Sequence, residues 1–595
     1  MGRNLLKARV LVVLAFFIAA FAAICARFHH VQVARRDELY TKAKSTYTKV
    51  LRKKASRGKI YDVNGALLAG NAPCYDLVVD PQTTGDDAEC AVTADFLAKT
   101  LEVDKSKIFR KLTDKTLPDG RPRLYAMIKR NIPFKEGELL RSMANERGLR
   151  GLFLRETEKR VYPKGPLLAP TLGIVNVDKE QAIPVSGVEK AFAKEMAAVS
   201  GKVVLERDRR GRPIVHGKKI VEDTAADGAD IFLTIDSNIQ MIVEDELERM
   251  CGEFNPKAAY AVMVDPDTGD IMALAQRPTF NPNDRSTIKN RNWLNRITTD
   301  IFEPGSTMKP IVISSALDYG VVTPNTKFDC EHGYWKEMKL RDAHRMGVSS
   351  VTEILVESSN IGTAKIAVAM GKPLLYKTLV RFGIGEKTGA PLRPEARGVL
   401  RRYDKWDHLS ISRFPIGQGV AVTPLQLVRA YCALANGGRL VKLRLLDRLR
   451  NTATGKIEKK PFEPARLVFR HPWAQRQIVE MMRHVTKHGG TAERAAIKGR
   501  EVAGKTGTSQ KWIPAAKSET GKGHYSEKRF FATFVGFVPA ENPAFVLAII
   551  ADEPKGNHYG GVVAAPTFKR IAEKTLAYLH VPATLPTKTN TRKRR

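Results

Sequence analysis

Phe302-Glu303-Pro304-Gly305-Ser306-Thr307-Met308-Lys309-Pro310 is the stretch on which the reading of this chain turns. Pro304-Gly305 break the preceding segment, and the pattern from Thr307 to Leu317 predicts a helix with Ser306 at its N-terminus and Lys309 one turn on. Residues three apart on a helix share a face, so both side chains point the same way. A serine hydroxyl is a poor nucleophile at its own pKa, and an amine kept neutral by burial and nearby cations can take its proton. Backbone N–H groups left free at a helix start can face an oxyanion. Alone, S-x-x-K reads as a capping serine and a surface lysine, and only its company changes that.

Two further segments supply company. Glu357-Ser358-Ser359-Asn360 lies between Val351–Val356 and a helix-like run from Ile361 to Met370, so a Ser358 hydroxyl and an Asn360 amide in a turn could relay a proton and hold a substrate amide. Read singly it is a helix cap. Lys505-Thr506-Gly507-Thr508 follows a short apolar segment suited to a strand, and it offers a cation, a hydroxyl for a substrate carboxylate and room for backbone approach. Two decoys compete. Lys387-Thr388-Gly389 repeats the tripeptide among Gly383, Gly385 and Pro391, which predicts a loop between helices. Gly499 to Thr506 formally fits the phosphate-loop pattern, but Thr491–Lys498 reads as helix where that pattern needs a strand, and Gly507 and Pro514 oppose a following helix.

The 595 residues, 43% of them hydrophobic, suffice for more than one core, and a formal charge of +35 suggests a polyanionic neighbour. Nucleic acid, an anionic membrane surface and an acidic wall polymer all fit that charge. Arg3, Lys7 and Arg9 precede the uncharged apolar run Val10–Ala26, which is just long enough to span a bilayer. An uncleaved anchor is expected rather than a cleaved signal peptide, with the bulk of the chain outside the cytoplasm, and that location counts against nucleic acid. Among six cysteines no C-x-x-C pair appears, and Cys74 with Cys90 is a possible bridge.

Outward from the centre, Phe28 to about Lys54 reads as a helical stalk, Arg57–Ala69 as a hairpin turning at Asn64-Gly65, and Thr93–Thr100 and Glu189–Ala198 as helical patches. Near Gly228 the character changes. Ile231–Ile235 reads as a strand before a helix capped by Asp236 or Ser237, Ala258–Val264 with Ile271–Ala275 as a hairpin, Phe530–Val538 with Phe545–Ile550 as another, and Phe568–Tyr578 as an amphipathic helix. Strands at both ends around a helical middle predict an α+β domain whose sheet is assembled from distant segments.

In the order S-x-x-K, S-x-N, K-T-G, the three motifs resemble those of the penicillin-binding proteins and serine β-lactamases. The likeness extends to Arg57–Ala69, Gly187-Val188-Glu189-Lys190, Leu233-Thr234-Ile235-Asp236, Asn295 through Lys309, Gly417-Gln418-Gly419 through Gln426, and Phe534-Val535-Gly536-Phe537 with Gly560-Gly561. Over most of residues 55–575 the chain is similar to class B, monofunctional penicillin-binding proteins, and most similar to their division-specific branch.

The resemblance implies a cytoplasmic segment (1–9), a transmembrane anchor (10–27), a mixed α/β membrane-proximal pedestal of the dimerisation type (28–227), a transpeptidase domain with a central antiparallel sheet flanked by helices (228–580) and a basic tail (581–595). It implies a peptidoglycan D,D-transpeptidase in the bacterial cytoplasmic membrane, with stem peptides as substrate and β-lactams as covalent inhibitors. Ser306 would attack the donor carbonyl, with Lys309 as its base and Ser358 as the relay to the leaving amine. Asn360 would hold the donor peptide, Lys505 and Thr506 its carboxylate, Gly507 would leave room for it, and the N–H groups of Ser306 and Thr508 would form the oxyanion hole. No metal or cofactor is implied. The partners implied are a membrane-embedded, lipid-linked glycan polymerase and other division proteins. An elongation-type transpeptidase, a D,D-carboxypeptidase and a β-lactamase share the serine chemistry, while a β-lactam sensor would need a signalling domain that residues 1–9 do not hold.

Overall fold

The computed structural model describes residues 2–178, 181–206, 208, 221–518 and 521–585, and the chain forms two compact units, Met1–Arg57 with Ala197–Gly228 and Gly58–Met196 with Ala229–Arg595. Most of the basic tail expected at 581–595, including Lys588 and Arg592, lies outside the described residues. In the first unit, helix α1 (Gly2–His29) contains the expected span, and the stretch apolar enough to cross a membrane runs from Asn4 to Ala34. Leu11, Phe16 and Phe21 are all exposed along it, as suits a lipid-facing helix. The expected stalk is helical only as far as Tyr47. Thr48–Lys53 is instead a strand, paired antiparallel with Gly201–Glu206, which pairs in turn with Val221–Asp223. A strand whose partner lies so far along the chain leaves no local signal.

The second unit begins with the Asn64-Gly65 hairpin, β1 (Ile60–Tyr61) and β2 (Leu67–Val79), where Gly65 takes a φ of +89°. β2 also pairs with β3 (Ala126–Pro133) and β4 (Leu152–Val161), and its Tyr75, Leu77 and Val79 share a core with Leu97 and Leu101 of the helix Asp87–Leu101. That helix contains the patch foreseen at Thr93–Thr100. The patch foreseen at Glu189–Ala198 is helical only through Gly187–Ala191, after which Phe192 and Met196 turn into the core. Glu189 is fully buried and bound at 2.7 Å by Arg160, whose Nη1 also donates to the Gly58 carbonyl. A buried pair of this kind is costly to break from one side.

β5 (Asp230–Leu233) lies parallel to β1. Helix α2 (Ser237–Phe254) follows, capped by the Asp236 carboxylate and buried along Ile239, Val243, Leu247 and Met250. Asp62 Oδ2 accepts from Ser237 Oγ at 2.7 Å and Asn64 Nδ2 donates to Asp236 at 2.8 Å, so the hairpin is tied to the start of α2. Next come the hairpin β6 (Ala258–Val264) and β7 (Ile271–Arg277), then the helices α3 (Lys309–Asp318), α4 (Val351–Val356), α5 (Asn360–Met370) and α6 (Pro424–Ala435). β8 (Leu446–Arg450) and β9 (Ile457–Lys459) return to the first sheet through β5, so strands from beyond Gly228 complete the pedestal sheet.

β10 (Ala503–Ile513), β11 (His524–Val538), β12 (Phe545–Asp552) and α7 (Ala565–Tyr578) close the chain. The five-stranded antiparallel sheet runs β7-β6-β12-β11-β10, joining two distant segments as the hairpin pattern predicts. Every residue of β6 and β12 is buried. Both faces of these central strands are therefore covered, and α2, α6 and α7 pack against the sheet. No disulfide joins Cys74 to Cys90: Cys74 Sγ lies 3.8 Å from Asn131 Oδ1 and Cys90 Sγ 3.5 Å from Thr84 Oγ1.

Candidate active site

Ser306 does not begin an α-helix. It lies inside a 3-10 turn, Gly305–Met308, with the α-helix starting at Lys309. The turn is tightened by Thr307 Oγ1 donating to the Pro304 carbonyl at 2.7 Å, and Gly305 at its head has a φ of +58°. Ser306 is half-buried beside fully buried neighbours, and α3 is buried over its whole length, Lys309 at 0% exposure. A short apolar helix at the centre of the domain thus carries a lysine into the interior.

Lys309 Nζ donates to Ser358 Oγ at 3.1 Å, to Asn360 Oδ1 at 2.9 Å and to the Ser358 carbonyl. Lys505, from β10 and also fully buried, donates to the same Ser358 Oγ at 2.9 Å. One hydroxyl therefore bridges two buried amines. Burial first, and then repulsion from Lys505, hold the Lys309 pKa well below the lysine range against the opposing pull of Asp342 and Cys330. Burial lowers Lys505 to about 7. Two ammonium groups sharing one buried partner repel, which adds to the effect of burial on Lys309.

Ser358 has a φ of +61°, a left-handed conformation that costs a non-glycine residue energy and turns its side chain toward both lysines. Sequence reading treats Ser359 as a helix cap, and it is one: its Oγ accepts from Gly362 N at the start of α5. What sequence reading missed is Asp342. Its carboxylate accepts from Ser359 Oγ at 2.6 Å, Ile361 N at 3.0 Å and Asn360 N, anchoring the whole S-x-N turn. No motif surrounds Asp342 in the sequence. Asn360 is held at both ends, its Nδ2 donating one N–H to the Arg341 carbonyl at 2.8 Å.

Lys505, Thr506, Gly507 and Thr508 lie on β10 against β11. A Cβ on Gly507 would sit 2.9 Å from the Pro304 carbonyl, so only glycine lets the strand lie this close to the Ser306 turn. Thr506 is nearly buried, 3.4 Å from both Lys505 Nζ and Thr491 Oγ1, and Thr508 Oγ1 accepts from Gly560 N at 3.2 Å. Other ties hold the serine turn. Gly417, with a φ of +76°, would place a Cβ 2.3 Å from the Gly305 carbonyl; Tyr431 of α6 donates to the Thr307 carbonyl at 2.8 Å; and Glu303 accepts from Gly419 N at 2.9 Å and Tyr525 at 3.1 Å.

The second tripeptide is elsewhere: Lys387 is exposed in a loop, and Thr388 is tied to Glu395 at 2.6 Å. The phosphate-loop pattern also fails, since Gly504-Lys505-Thr506 lie within β10 itself. The preceding segment is not the helix foreseen at Thr491–Lys498, holding only the short turn Glu493–Ala495.

A serine turn packed on the edge strand of an antiparallel sheet, three residues before a buried lysine that shares a hydroxyl with a second buried lysine, is the layout of a serine acyl-transfer domain. Comparison with known proteins makes the class specific. Residues 259–573 match the penicillin binding protein transpeptidase domain and residues 52–233 the penicillin-binding protein dimerisation domain. The peptidoglycan D,D-transpeptidase FtsI of Escherichia coli is 31% identical over 97% of this chain and 93% of its own, and the probable peptidoglycan D,D-transpeptidase PenA of Neisseria gonorrhoeae is 30% identical over 97% and 94%. A crystal structure of a peptidoglycan synthetase from Bifidobacterium adolescentis superimposes with a TM-score of 0.69 at 26% identity, covering 91% of this chain and 98% of that one. Penicillin Binding Protein 2X from Streptococcus thermophilus shares the fold, with a TM-score of 0.73 at 22% identity over 89% of this chain and 80% of that one. The chain belongs to the penicillin-binding protein family, as a class B transpeptidase.

Proposed function

We propose that this protein cross-links peptidoglycan stem peptides at the division septum through an acyl-enzyme on Ser306. The observation that carries the mechanism is the bridge Lys309–Ser358–Lys505. Ser306 Oγ attacks the carbonyl of the penultimate D-Ala while its proton passes to neutral Lys309 Nζ, and N–H groups of Ser306 and Thr508 stabilise the oxyanion. The C–N bond then breaks. Lys309 returns the proton through Ser358 to the leaving amine and terminal D-Ala departs; a second stem's amine then attacks the ester and gives its proton to the same relay, the C–O bond to Ser306 breaks, and Lys309 returns the proton to Ser306 Oγ. Lys505 and Thr506 take the donor carboxylate, which restores positive charge to Lys505, and Gly507 keeps the β10 edge open to backbone. Asn360 orients Lys309 through Oδ1, and the N–H of Nδ2 not given to the Arg341 carbonyl holds the donor amide.

Residues 10–27 anchor the chain in the cytoplasmic membrane with 1–9 inside and 28–595 outside. The exposed apolar α1 and the three basic residues before Val10 support that topology. The pedestal at 28–227 and the transpeptidase domain at 228–580 are supported by the two family matches, with the basic tail at 581–595 beyond them. A membrane-embedded, lipid-linked glycan polymerase and other division proteins are the partners, and the naming of relatives as FtsI supports the septal role. Ser306→Ala should abolish covalent labelling by a fluorescent penicillin, with membrane insertion and melting unchanged, and the labelled wild-type peptide should map to Ser306. Undiminished labelling of the mutant excludes this mechanism.

A further inference from the structure

The Lys387-Thr388-Gly389 loop, which the reaction does not use, walls a cavity of about 170 Å³ together with Arg429, Lys442 and Arg466. We propose that this cavity is a binding site for a small phosphate-class anion. Its four cations come from four segments: the loop, α6, the stretch before β8, and Arg466–Leu467. None of the lining residues is acidic. The carboxylates that pair with these cations reach them from outside the lining: Glu386 meets Arg466 at 2.9 Å and Arg429 at 3.6 Å, and Glu463 meets Lys442 at 2.7 Å. Glu395, bonded to Thr388 of the lining at 2.6 Å, adds a third carboxylate, so four positive groups meet three negative ones and about one positive charge is left for a ligand to neutralise.

Arg429 is the strongest sign. It is only 9% exposed, with Nε donating to the Val441 carbonyl at 2.8 Å and Nη1 to that of Lys387 at 3.4 Å, while Nη2 makes no hydrogen bond among the described residues. A nearly buried guanidinium with one free N–H edge on a cavity is built to receive an oxyanion in its fork. Burial lowers its pKa, Glu386 and Glu395 oppose, and Arg466 adds to the lowering. The space suits a tetrahedral anion with a few waters and is smaller than a nucleotide-sized pocket. Gly389, at a φ of +91°, has no Cβ, and one there would lie 2.5 Å from the Lys442 side chain that borders the cavity.

Among the described residues, no cavity residue hydrogen-bonds to Ser306, Lys309, Ser358 or Lys505. The site is therefore separable from acylation, although α6 carries both Arg429 and Tyr431, the latter bonded to the serine turn. The chemistry is shared by free phosphate, a soluble phosphate monoester and a phospholipid headgroup.

The test uses the full chain in neutral detergent, titrated with inorganic phosphate against chloride at matched ionic strength, with calorimetry and melting temperature as readouts. A Lys387→Gln/Lys442→Gln double variant changes only partly exposed side chains outside the catalytic cluster. Saturable phosphate binding, with affinity at least about 10-fold weaker in the double variant and penicillin acylation preserved in both, is the expected result. Glycerol phosphate and vesicles containing phosphatidic acid then identify the source: tighter binding of the ester marks a soluble ligand, and tighter binding of the vesicles marks a lipid. Stabilisation equal to that by chloride, or phosphate affinity equal in wild type and double variant, overturns the proposal. Arg429→Lys, which keeps the charge but loses the fork, provides the second check: unchanged phosphate affinity in a variant that melts as wild type also overturns it.

Discussion

Lys505 and Lys387 begin identical tripeptides, and burial separates them. Lys505 has 0% exposure and touches the hydroxyl that Lys309 shares, while Lys387 is exposed. Lys505→Ala should slow penicillin acylation by about 10²-fold or more, the scale for losing one electrostatic stabiliser in a dry site. Lys387→Ala should leave the rate unchanged and melt within about 0.5 kcal/mol of wild type. Acylation rates of both variants with one penicillin decide the matter. Burial also has a pH consequence. A lysine near 10.5 when unfolded and about 7 when folded binds more protons in the unfolded state between those values, so its contribution to stability is fully present above about 10.5 and is lost as pH falls through about 7. The stability difference between wild type and Lys505→Met should therefore shift in favour of wild type from pH 7 to pH 9.5, by up to about 1.4 kcal/mol per unit. Urea midpoints at both values measure it, and a flat difference would contradict the buried neutral amine.

At the scale of elements, the site is a junction of one turn, one helix start and one strand. Sequence reading placed Ser358 in a turn and Lys505 on a strand because turn residues and apolar runs are local signals. It put Ser306 at the start of an α-helix, where the structure has a 3-10 turn. Gly305, Thr307 and the close approach of Gly417 tighten that segment, and the last of these is a tertiary contact. Asp342 was illegible for the same reason, since its three acceptor contacts are to a turn reached only through folding. Asp342→Ala should loosen the start of α5 and shift Ser358 away from the lysines. Hydrogen bonds to a charged group contribute roughly 1.5–3 kcal/mol each, so acylation should fall at least about 10-fold and the melting temperature should drop. Stopped-flow acylation with a chromogenic β-lactam and a melting curve check both effects, and an unaltered acylation rate would remove Asp342 from the positioning role.

For the whole molecule, the Asp62 and Asn64 ties to the first turn of α2, together with β5, β8 and β9, join the pedestal sheet to the transpeptidase chain. Forces on this part of the pedestal therefore reach the frame that carries the five-stranded sheet. Depletion of the protein from a rod-shaped host should give filaments with blocked septa, scored by microscopy, and round swollen cells would point to the elongation branch instead. A reporter that works only in an exported location, fused after Arg595, should be active, and the protein recovered from membranes should keep residues before Val10. Mature protein starting near Ala23 or Ala26 would refute the anchor.

Sequence by itself determined what local chemistry can encode: an apolar run long enough for a bilayer, hairpins turned by Asn-Gly and Asp-Pro-Asp-Thr-Gly, the order of three motifs, and so the α+β class and the family. Tertiary structure alone decided that Ser358 bridges two lysines, that no disulfide joins Cys74 to Cys90, and that Asp342 holds the turn. These depend on burial and on contacts between residues far apart in the chain. Desolvation lowers the pKa of both Lys309 and Lys505, and no periodicity or spacing reports how much water a side chain loses when the chain closes around it.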